Sequence, residues 1–393
     1  MGLFYGLTNP ACALNYGSAP GLNHDYIWGA VSYDNPANAM LLSTDGISWN
    51  LYNSANTDGW NYPYYSFNPT TKEIIKLNFG SNTIGTTYYY SLINETAGTT
   101  SMGSNKFGSS SGNPQNLQST SYWSHWANGR NTWMSTYPGY NSTYSRKVYR
   151  NNGTHFNQST GNNYSKLSYS ASSFPYIVID APGGDLIIYS RYYDFGSMTG
   201  YFYTLPVSTY ISGTYVNNFN GFAAASPTTV ADKHYIYGCC YMENINKFIT
   251  VVDGGVVLYD FSTDTFTGSQ VALFNDIYSA SLEFGNMQYE PERETLYAAI
   301  PSTDGYVHVF CTENGSVWSA LGSPTSSQLL SNSTRITIGA SYDRVVVSNG
   351  TDYIIYDNST GSWGTKNSGM VFNSNNGFVA TDNVIQCFPY SKS

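Results

Sequence analysis

The sequence predicts an all-β fold, and three features of its 393 residues support that class. Short runs that alternate apolar and polar residues occur from end to end, bounded by Gly, Asn, Asp and Pro, as in strands joined by tight turns. No segment shows a convincing 3.6-residue period. Aromatic residues make up 17% of the chain and charged residues only 10%, whereas long helices depend on charged residues, alanine and leucine.

One phrase recurs along the chain: a strand ends at a polar turn, the turn carries Gly or Asn, and an aromatic residue starts the next strand. The clear copies place this aromatic residue at Trp49, Phe156, Phe266, Trp318 and Trp363, with gaps of 107, 110, 52 and 45 residues. The first two gaps are about twice as long as the others, so one degenerate copy of the phrase is expected inside each of these two gaps. The seven anchor turns then lie at 43–49, 93–99, 150–156, 207–215, 259–266, 312–318 and 356–363.

A second phrase, a tight turn followed by an apolar strand, precedes six of the seven anchor turns and leaves room for one further strand. Four strands in each unit of roughly fifty residues predict a β-propeller, with a two-sheet sandwich or a β-helix as the alternatives. We expect one propeller domain over residues 1–393. The repeat count predicts seven four-stranded blades, and eight blades are the alternative. Pairing of the N- and C-terminal strands is expected to close the ring, because closure removes exposed sheet edges.

Two of the anchor turns resemble the end of a kelch-type blade, and a third is similar to the Asp-box of sialidase-type propellers. Tyr356-Asp357 and Tyr259-Asp260, each followed by Thr and an aromatic residue, carry the kelch resemblance. The Asp-box resemblance rests on residues 43–49, one residue shorter than the usual form. The chain departs from kelch in mostly lacking paired glycines, although Gly254-Gly255 is close. Shortened turns of this kind also look like those of phage appendages.

In both families these motifs brace the turn between the third and fourth strands, away from the usual ligand face. The resemblance therefore implies structural roles for Asp45, Gly46, Trp49, Asp260, Thr263, Trp318, Asp357 and Trp363.

Candidate binding residues come from the loops between predicted blades, which are rich in aromatic residues, Ser, Gly and Asn. Exposed aromatic rings stack on sugar faces, and polar side chains bind hydroxyl groups, so these residues are candidate contacts for a glycan or a partner protein. The alternative is that they pack between blades. The candidates are Trp60, Tyr62, Trp123, Trp126, Tyr137 and Tyr140.

Catalytic motifs are not recognisable in the sequence. The only dense acidic stretch contains Glu290, Glu292 and Glu294, which alternate across a predicted turn and are interpreted as solvated. The five histidines are scattered without metal-ligand spacing. The sialidase arginine triad and phosphate-binding glycine loops do not appear. We therefore expect no enzyme activity, no metal and no cofactor.

The five cysteines are an odd number and form no metal-binding pattern. Ordinary burial is expected for Cys239 and Cys240. A disulfide between Cys12 and Cys387, near the two ends of the chain, stays open as an alternative.

Charge and composition limit which classes of partner and which cellular locations are expected. A net charge of −9, from 16 basic and 25 acidic residues, argues against nucleic acid. No secretory signal and no stretch of about twenty apolar residues is apparent, so neither conventional export nor membrane insertion is expected. Yet low charge with abundant Tyr, Ser and Asn is typical of exported surfaces and virus particles.

These observations predict a non-enzymatic virion component of a phage-like virus, in a tail, fibre, collar or capsid decoration. It would be made in the host cytoplasm, released by lysis and assembled in several copies with other virion proteins, with host-surface glycan binding as a possible addition. The alternative is a secreted or surface carbohydrate-active enzyme or lectin of the sialidase or kelch propeller type. A cellular kelch-type scaffold fits the low charge least well.

Overall fold

The computed structural model is built almost entirely of antiparallel strands. It describes residues 21–32, 40–52, 65–68, 72–78, 86–101, 123–127, 132–137, 146–151, 162–167, 174–180, 186–194, 197–205, 220–223, 236–252, 254–263, 265–278, 286–333, 336–368, 370–372, 378–380 and 383–392. The chain divides into two compact units, one formed by Met1–Asn56 with Pro227–Ser393 and the other by Thr57–Ser226. The assignment of the whole chain to a single domain stays a prediction.

The unit Thr57–Ser226 contains three four-stranded sheets among its described residues. In each sheet consecutive strands pair antiparallel, in the orders β4-β5-β6-β7, β8-β9-β10-β11 and β12-β13-β14-β15, so the first strand is one edge and the fourth the other. Their bounds are β4 Tyr65–Asn68, β5 Glu73–Asn78, β6 Thr86–Ser91, β7 Thr96–Ser101, β8 Trp123–Ala127, β9 Thr132–Tyr137, β10 Arg146–Asn151, β11 Asn162–Leu167, β12 Phe174–Asp180, β13 Leu186–Asp194, β14 Ser197–Leu205 and β15 Asn220–Ala223.

The other unit contains four such sheets and a separate hairpin. The first three strands of the chain are β1 His24–Ser32, β2 Met40–Ser43 and β3 Asn50–Tyr52. The later strands are β16 Ile236–Met242, β17 Lys247–Val252, β18 Gly255–Asp260, β19 Thr265–Gln270, β20 Met287–Glu290, β21 Thr295–Pro301, β22 Tyr306–Thr312, β23 Ser319–Ala320, β24 Leu330–Ser331, β25 Thr337–Ala340, β26 Arg344–Ser348, β27 Asp352–Asp357, β28 Ser362–Trp363, β29 Asn367–Ser368, β30 Met370–Phe372, β31 Phe378–Ala380 and β32 Asn383–Ser391. Two 3-10 helices span Glu243–Ile245 and Ala272–Phe274.

Three of these four sheets are meanders, namely β16 to β19, β20 to β23 and β25 to β28. In the last two sheets the fourth strand is split, because β24 pairs with β22 and β29 pairs with β27 further along the same edge. The pair β30 and β31 forms a two-stranded sheet of its own.

The fourth sheet joins the two ends of the described chain. Its order is β3-β2-β1-β32, so the last strand takes the position that the first strand has in the other sheets. β1 and β32 pair over nine residues, from His24↔Ser391 to Ser32↔Asn383. The predicted pairing of the N- and C-terminal strands is confirmed, and it covers an edge of β1 that would otherwise be open.

The sheets of this unit bury both faces, which explains why their central strands read as continuous apolar runs. All seven residues of β21 are buried, as are the last five of β17 and the last four of β26. Alternation is lost in such strands because apolar side chains on both faces pack against neighbouring sheets. The largest fully buried side chains include Trp28, Tyr237 and Phe248.

Amide side chains, one buried and one half-buried, link the first strands of neighbouring sheets. β16, β20, β25 and β32 lie next to one another in that order. Gln288 of β20 donates to the carbonyl oxygens of Ala340 and Cys387, at 3.1 and 2.8 Å, and accepts from the amide of Ala340 at 3.2 Å. On the other side, Asn286 donates to the carbonyl oxygen of Tyr237 on β16. These side chains make the hydrogen bonds that backbone pairing does not provide between sheets.

The anchor turns 43–49 and 312–318 have the same hydrogen-bond pattern, and both connect the third and fourth strands of their sheets. Asp45 Oδ1 accepts the amides of Ile47 and Ser48 at 2.8 and 2.7 Å. Asn314 Oδ1 accepts the two equivalent amides at 2.9 and 2.8 Å. The glycine that follows is left-handed in both turns, with φ of 69° at Gly46 and 76° at Gly315, which favours a residue without Cβ.

The anchor turns 259–266 and 356–363 share a second pattern and also join third to fourth strands. Asp260 Oδ1 accepts the amide of Ser262, and Asp357 Oδ1 accepts that of Ser359, both at 2.8 Å. Thr263 Oγ1 lies 2.7 Å from Thr265 Oγ1. These carboxylates therefore brace the turns.

Tryptophans at these turns close the gaps between sheets. Trp318 Nε1 donates to the Gly315 carbonyl at 3.0 Å, and Trp363 Nε1 donates to the Leu321 carbonyl at 2.8 Å. Trp49 packs against the small cluster that contains the fully buried Trp28.

Of the remaining anchor turns, 93–99 lies between β6 and β7, again the third and fourth strands. Residues 152–156 of one turn and all of 207–215 fall outside the described residues.

We predict that replacing Gln288 by Leu destabilises the protein by about 2–4 kcal/mol. The change leaves the Ala340 and Cys387 backbone groups without their partner, and an unsatisfied buried group costs about 1–3 kcal/mol. Denaturant unfolding followed by tryptophan fluorescence measures the difference. The control is Thr267→Val at an exposed position of β19, for which we expect a change within about 0.5 kcal/mol; equal effects of both substitutions would show that the Gln288 links contribute little.

Candidate functional site

Half of the aromatic residues predicted to bind a glycan lie in the described part of the structure, on two strands that pair with each other. Trp60, Tyr62 and Tyr140 lie outside the described residues. The backbones of Trp123 and Trp126 lie in β8, and that of Tyr137 lies in β9. Glycan binding by this set stays a prediction.

A different cluster of polar side chains forms between the start of β1 and the turn that joins β20 to β21. This His24–Glu292 site consists of His24, Tyr26, Glu290, Glu292 and Arg293. It joins two stretches of chain more than 260 residues apart.

Glu290 lies at the buried bottom of the site. Its side chain is fully buried and accepts three hydrogen bonds, from the Tyr26 hydroxyl and from the backbone amides of Glu292 and Arg293, the amides lying at 3.1 and 2.7 Å. Burial and then the hydrogen bond to Glu290 raise the pKa of Tyr26 far above its usual range. The phenol therefore stays protonated and holds the turn to β1.

Glu292 holds the imidazole of His24. Glu292 Oε1 lies 2.8 Å from His24 Nδ1 and accepts the Asn23 amide at 2.5 Å. The Glu292 side chain is 9% exposed, whereas that of His24 is 27% exposed. Burial acts to raise the pKa of Glu292, but the hydrogen bonds from His24 and Asn23 outweigh it and hold the pKa below its usual value.

Arg293 occupies the next position of the turn. Its Nε donates to the Tyr342 carbonyl at 2.7 Å, and its guanidinium carbon lies 4.4 Å from the centre of the Tyr342 ring. The stacking and the hydrogen bond fix the turn against the neighbouring sheet, where Tyr342 follows β25.

The interpretation of this acidic stretch as a solvated turn was wrong for two of its three glutamates. Glu294 is exposed, but Glu290 and Glu292 are enclosed by β1. No local signal reveals this, because their partners Tyr26 and His24 come from the other end of the sequence. In the sequence, the concentration of acidic residues was the one feature that pointed to this position.

The chemistry available here is that of an oriented histidine. An ionised carboxylate only accepts hydrogen bonds, so His24 donates through Nδ1 and keeps the lone pair on Nε2. A partly exposed imidazole oriented by a buried carboxylate is the arrangement of a general base.

Two findings concern metals and membrane spans within the described ranges. There, no three His, Cys, Asp or Glu side chains come together as metal ligands. The helices among these residues are too short and too polar to span a bilayer.

The described cysteines are free thiols. Cys239 and Cys387 are buried, and burial raises the pKa of both thiols well above the usual value. Cys387 lies in β32, so the open alternative of a Cys12–Cys387 disulfide finds its second thiol free, while Cys12 is outside the described residues.

Comparison with known proteins gives a fold but no family. No protein-family model matches the sequence, and no curated protein is significantly similar to it. Solved structures are similar over most of the chain. A candidate 6-phosphogluconolactonase from Bacteroides uniformis has a TM-score of 0.56 and 11% identity, covering 93% of this chain and 100% of its own.

Two further structures are similar. The periplasmic gluconolactonase PpgL of Pseudomonas aeruginosa has a TM-score of 0.57 and 10% identity, covering 93% of this chain and 99% of its own. Apo AztD from Citrobacter koseri has a TM-score of 0.51 and 10% identity, covering 94% and 99%. Together with the repeated four-stranded sheets, this likeness places the chain in the all-β propeller class, as the sequence predicted.

The prediction that the chain is not an enzyme is contradicted by these neighbours, because two of them carry the names of lactonases. The prediction had been drawn from the lack of a catalytic motif in the linear sequence. Propeller sites draw their residues from several blades, so such a motif is not required. His24 and Glu292 illustrate this, since they meet from opposite ends of the chain.

We predict that the His24–Glu292 pair makes stability depend on pH. Because the folded pKa of Glu292 is lowered, its stabilisation is present above the usual glutamate pKa of about 4.3 and is lost as the pH falls through the folded value. Glu292→Gln should cost about 1 kcal/mol at pH 7, and this cost should disappear as the pH falls through the folded pKa of Glu292. Urea unfolding between pH 3 and 7 measures this, with Glu294→Gln as the exposed control; a cost independent of pH would contradict it.

Proposed function

We propose that this chain is a carbohydrate-active hydrolase that opens a sugar lactone or a related sugar ester. The observation that carries the proposal is the His24–Glu292 pair, a partly exposed imidazole held 2.8 Å from a buried carboxylate. The lactonase names of two structures with the same fold support the choice of substrate class. It follows the carbohydrate-active alternative of the sequence analysis rather than the non-enzymatic one.

The proposed reaction uses one general base, which takes a proton from water and later gives it to the leaving oxygen. His24 Nε2 removes a proton from water as the water oxygen bonds to the lactone carbonyl carbon. Glu292 stabilises the imidazolium that forms. The tetrahedral intermediate then breaks its bond to the ring oxygen, which takes the proton from His24 and leaves as a hydroxyl, giving the open-chain sugar acid. Glu290 and Tyr26 position the turn that carries Glu292 and do not exchange protons.

We predict that the purified protein hydrolyses D-glucono-1,5-lactone faster than buffer alone, and that His24→Gln lowers kcat about 100-fold. General-base catalysis typically contributes about 10²–10⁴-fold. A pH-stat, corrected for spontaneous opening of the lactone, measures the rate. Glu292→Gln should lower kcat less than His24→Gln and shift the acid limb of the pH profile, since it disturbs the orientation of the base but leaves the base in place.

The matched control is Glu294→Gln, which removes an exposed carboxylate from the same turn and is expected to leave kcat unchanged. Turnover that survives His24→Gln at the wild-type rate would contradict the assignment of the base. An absence of turnover on lactones and on sugar esters would contradict the proposed function itself.

We also propose that the protein is a virion component that engages host-surface carbohydrate, released by lysis and assembled in several copies with other virion proteins. Support comes from the low charge with abundant Tyr, Ser and Asn, and from the kelch-like and Asp-box-like turns that resemble those of phage appendages. Mass spectrometry of purified particles tests this location. Recovery of the native protein only as a free secreted monomer would contradict it.

A further inference from the structure

Arg293 keeps both terminal nitrogens of its guanidinium without a partner among the residues that the structure describes. Its Nε donates to the Tyr342 carbonyl oxygen at 2.7 Å, and the guanidinium carbon lies 4.4 Å from the centre of the Tyr342 ring. A guanidinium carries donors on all three nitrogens and accepts nothing. The donors of the two terminal nitrogens therefore stay available to a bound molecule.

The positive charge of Arg293 is held in place without being neutralised by a direct partner. Three carboxylates share its short segment, those of Glu290, Glu292 and Glu294, yet within the described ranges none of them forms an ion pair with the guanidinium. Stacking on Tyr342 and one hydrogen bond orient the guanidinium plane instead. A planar cation fixed in this way is preorganised to bind an oxygen that carries negative charge.

The guanidinium and the His24 imidazole lie at the same end of the packed sheets. Glu292 connects them, because it precedes Arg293 directly and its Oε1 lies 2.8 Å from His24 Nδ1. Tyr342, on which the guanidinium stacks, follows β25, and β25 lies between β20 and β32, the strand that pairs with β1. The imidazole and the guanidinium therefore border the same part of this rim.

The proposed lactone opening needs hydrogen-bond donors that the rest of the site does not supply. When water attacks the lactone, the carbonyl oxygen becomes an oxyanion, and preorganised donors stabilise such a charge. The Tyr26 hydroxyl and the backbone amides of Glu292 and Arg293 already donate to Glu290. An ionised Glu292 only accepts, and His24 is the base. Of the five residues that form the site, Arg293 is thus the one with donors to spare.

We propose that Arg293 is a catalytic residue of the lactone opening and that its terminal nitrogens bind the carbonyl oxygen of the substrate. As the oxygen of water bonds to the carbonyl carbon, one proton of that water passes to His24 Nε2. The π electrons of the carbonyl group move to its oxygen, which becomes an oxyanion bound to the guanidinium.

The oxyanion then re-forms the carbonyl group as the bond to the ring oxygen breaks. The ring oxygen takes the proton from His24 and leaves as a hydroxyl, and the guanidinium keeps all of its own protons. This inference rests on the proposed function and assigns a second catalytic group to the same site.

The test is the hydrolysis of D-glucono-1,5-lactone by Arg293→Gln. We expect kcat to fall about 100-fold while KM changes little, since the loss of one oxyanion donor typically costs about 10²–10³ in kcat. The acid limb of the pH profile should stay where it is in the wild type, because that limb reports the titration of His24. A raised KM at unchanged kcat would show that Arg293 only binds the substrate, and would overturn the catalytic role.

Arg293→Ala with added guanidinium chloride separates a catalytic role from a structural one. Guanidinium, at concentrations well below those that unfold proteins, should restore part of the lost kcat, whereas sodium chloride at the same concentration should not. A site that had merely lost its fold would respond to neither salt.

The control for net charge is Lys366→Gln, which removes a cation that is 37% exposed and lies 3.9 Å from Asp352. We expect its kcat to equal that of the wild type. A similar fall in kcat for Lys366→Gln and Arg293→Gln would show a general effect of charge and overturn the proposal.

The remaining outcomes separate this inference from the proposed function. A wild-type kcat in Arg293→Gln, an acid limb that moves as in Glu292→Gln, or the same response of Arg293→Ala to both salts would each overturn the role of Arg293. Turnover that survives Arg293→Gln but not His24→Gln overturns that role alone and leaves the hydrolase. If the wild-type protein turns over neither lactones nor sugar esters, both conclusions are overturned.

Discussion

The hydrogen bonds of amide side chains between neighbouring sheets are the constraint on which this part of the described architecture depends. Each sheet satisfies its own backbone groups, and the apolar contact between two sheets packed face to face is not directional. Gln288 of β20 reaches backbone groups on β25 and β32, and Asn286, one residue before β20, reaches β16. Two side chains of one short segment thereby tie four sheets together.

This linkage also explains why the candidate catalytic pair exists where it does. With β20 tied to β32, the turn after β20 comes to lie beside the start of β1, which pairs with β32. Glu290 and Tyr26 then close the gap, and Glu292 meets His24. The closing sheet and the proposed base are therefore two results of the same packing.

The sequence by itself determined the class of fold and the turns. Asp45, Asn314, Asp260 and Asp357 act through bonds to residues two or three positions away, so local spacing was enough to find them. Tertiary structure alone decided the sites. Glu290 and Glu292 resembled a solvated turn because their partners lie more than 260 residues away, and neither spacing nor composition carries information about contacts at that separation.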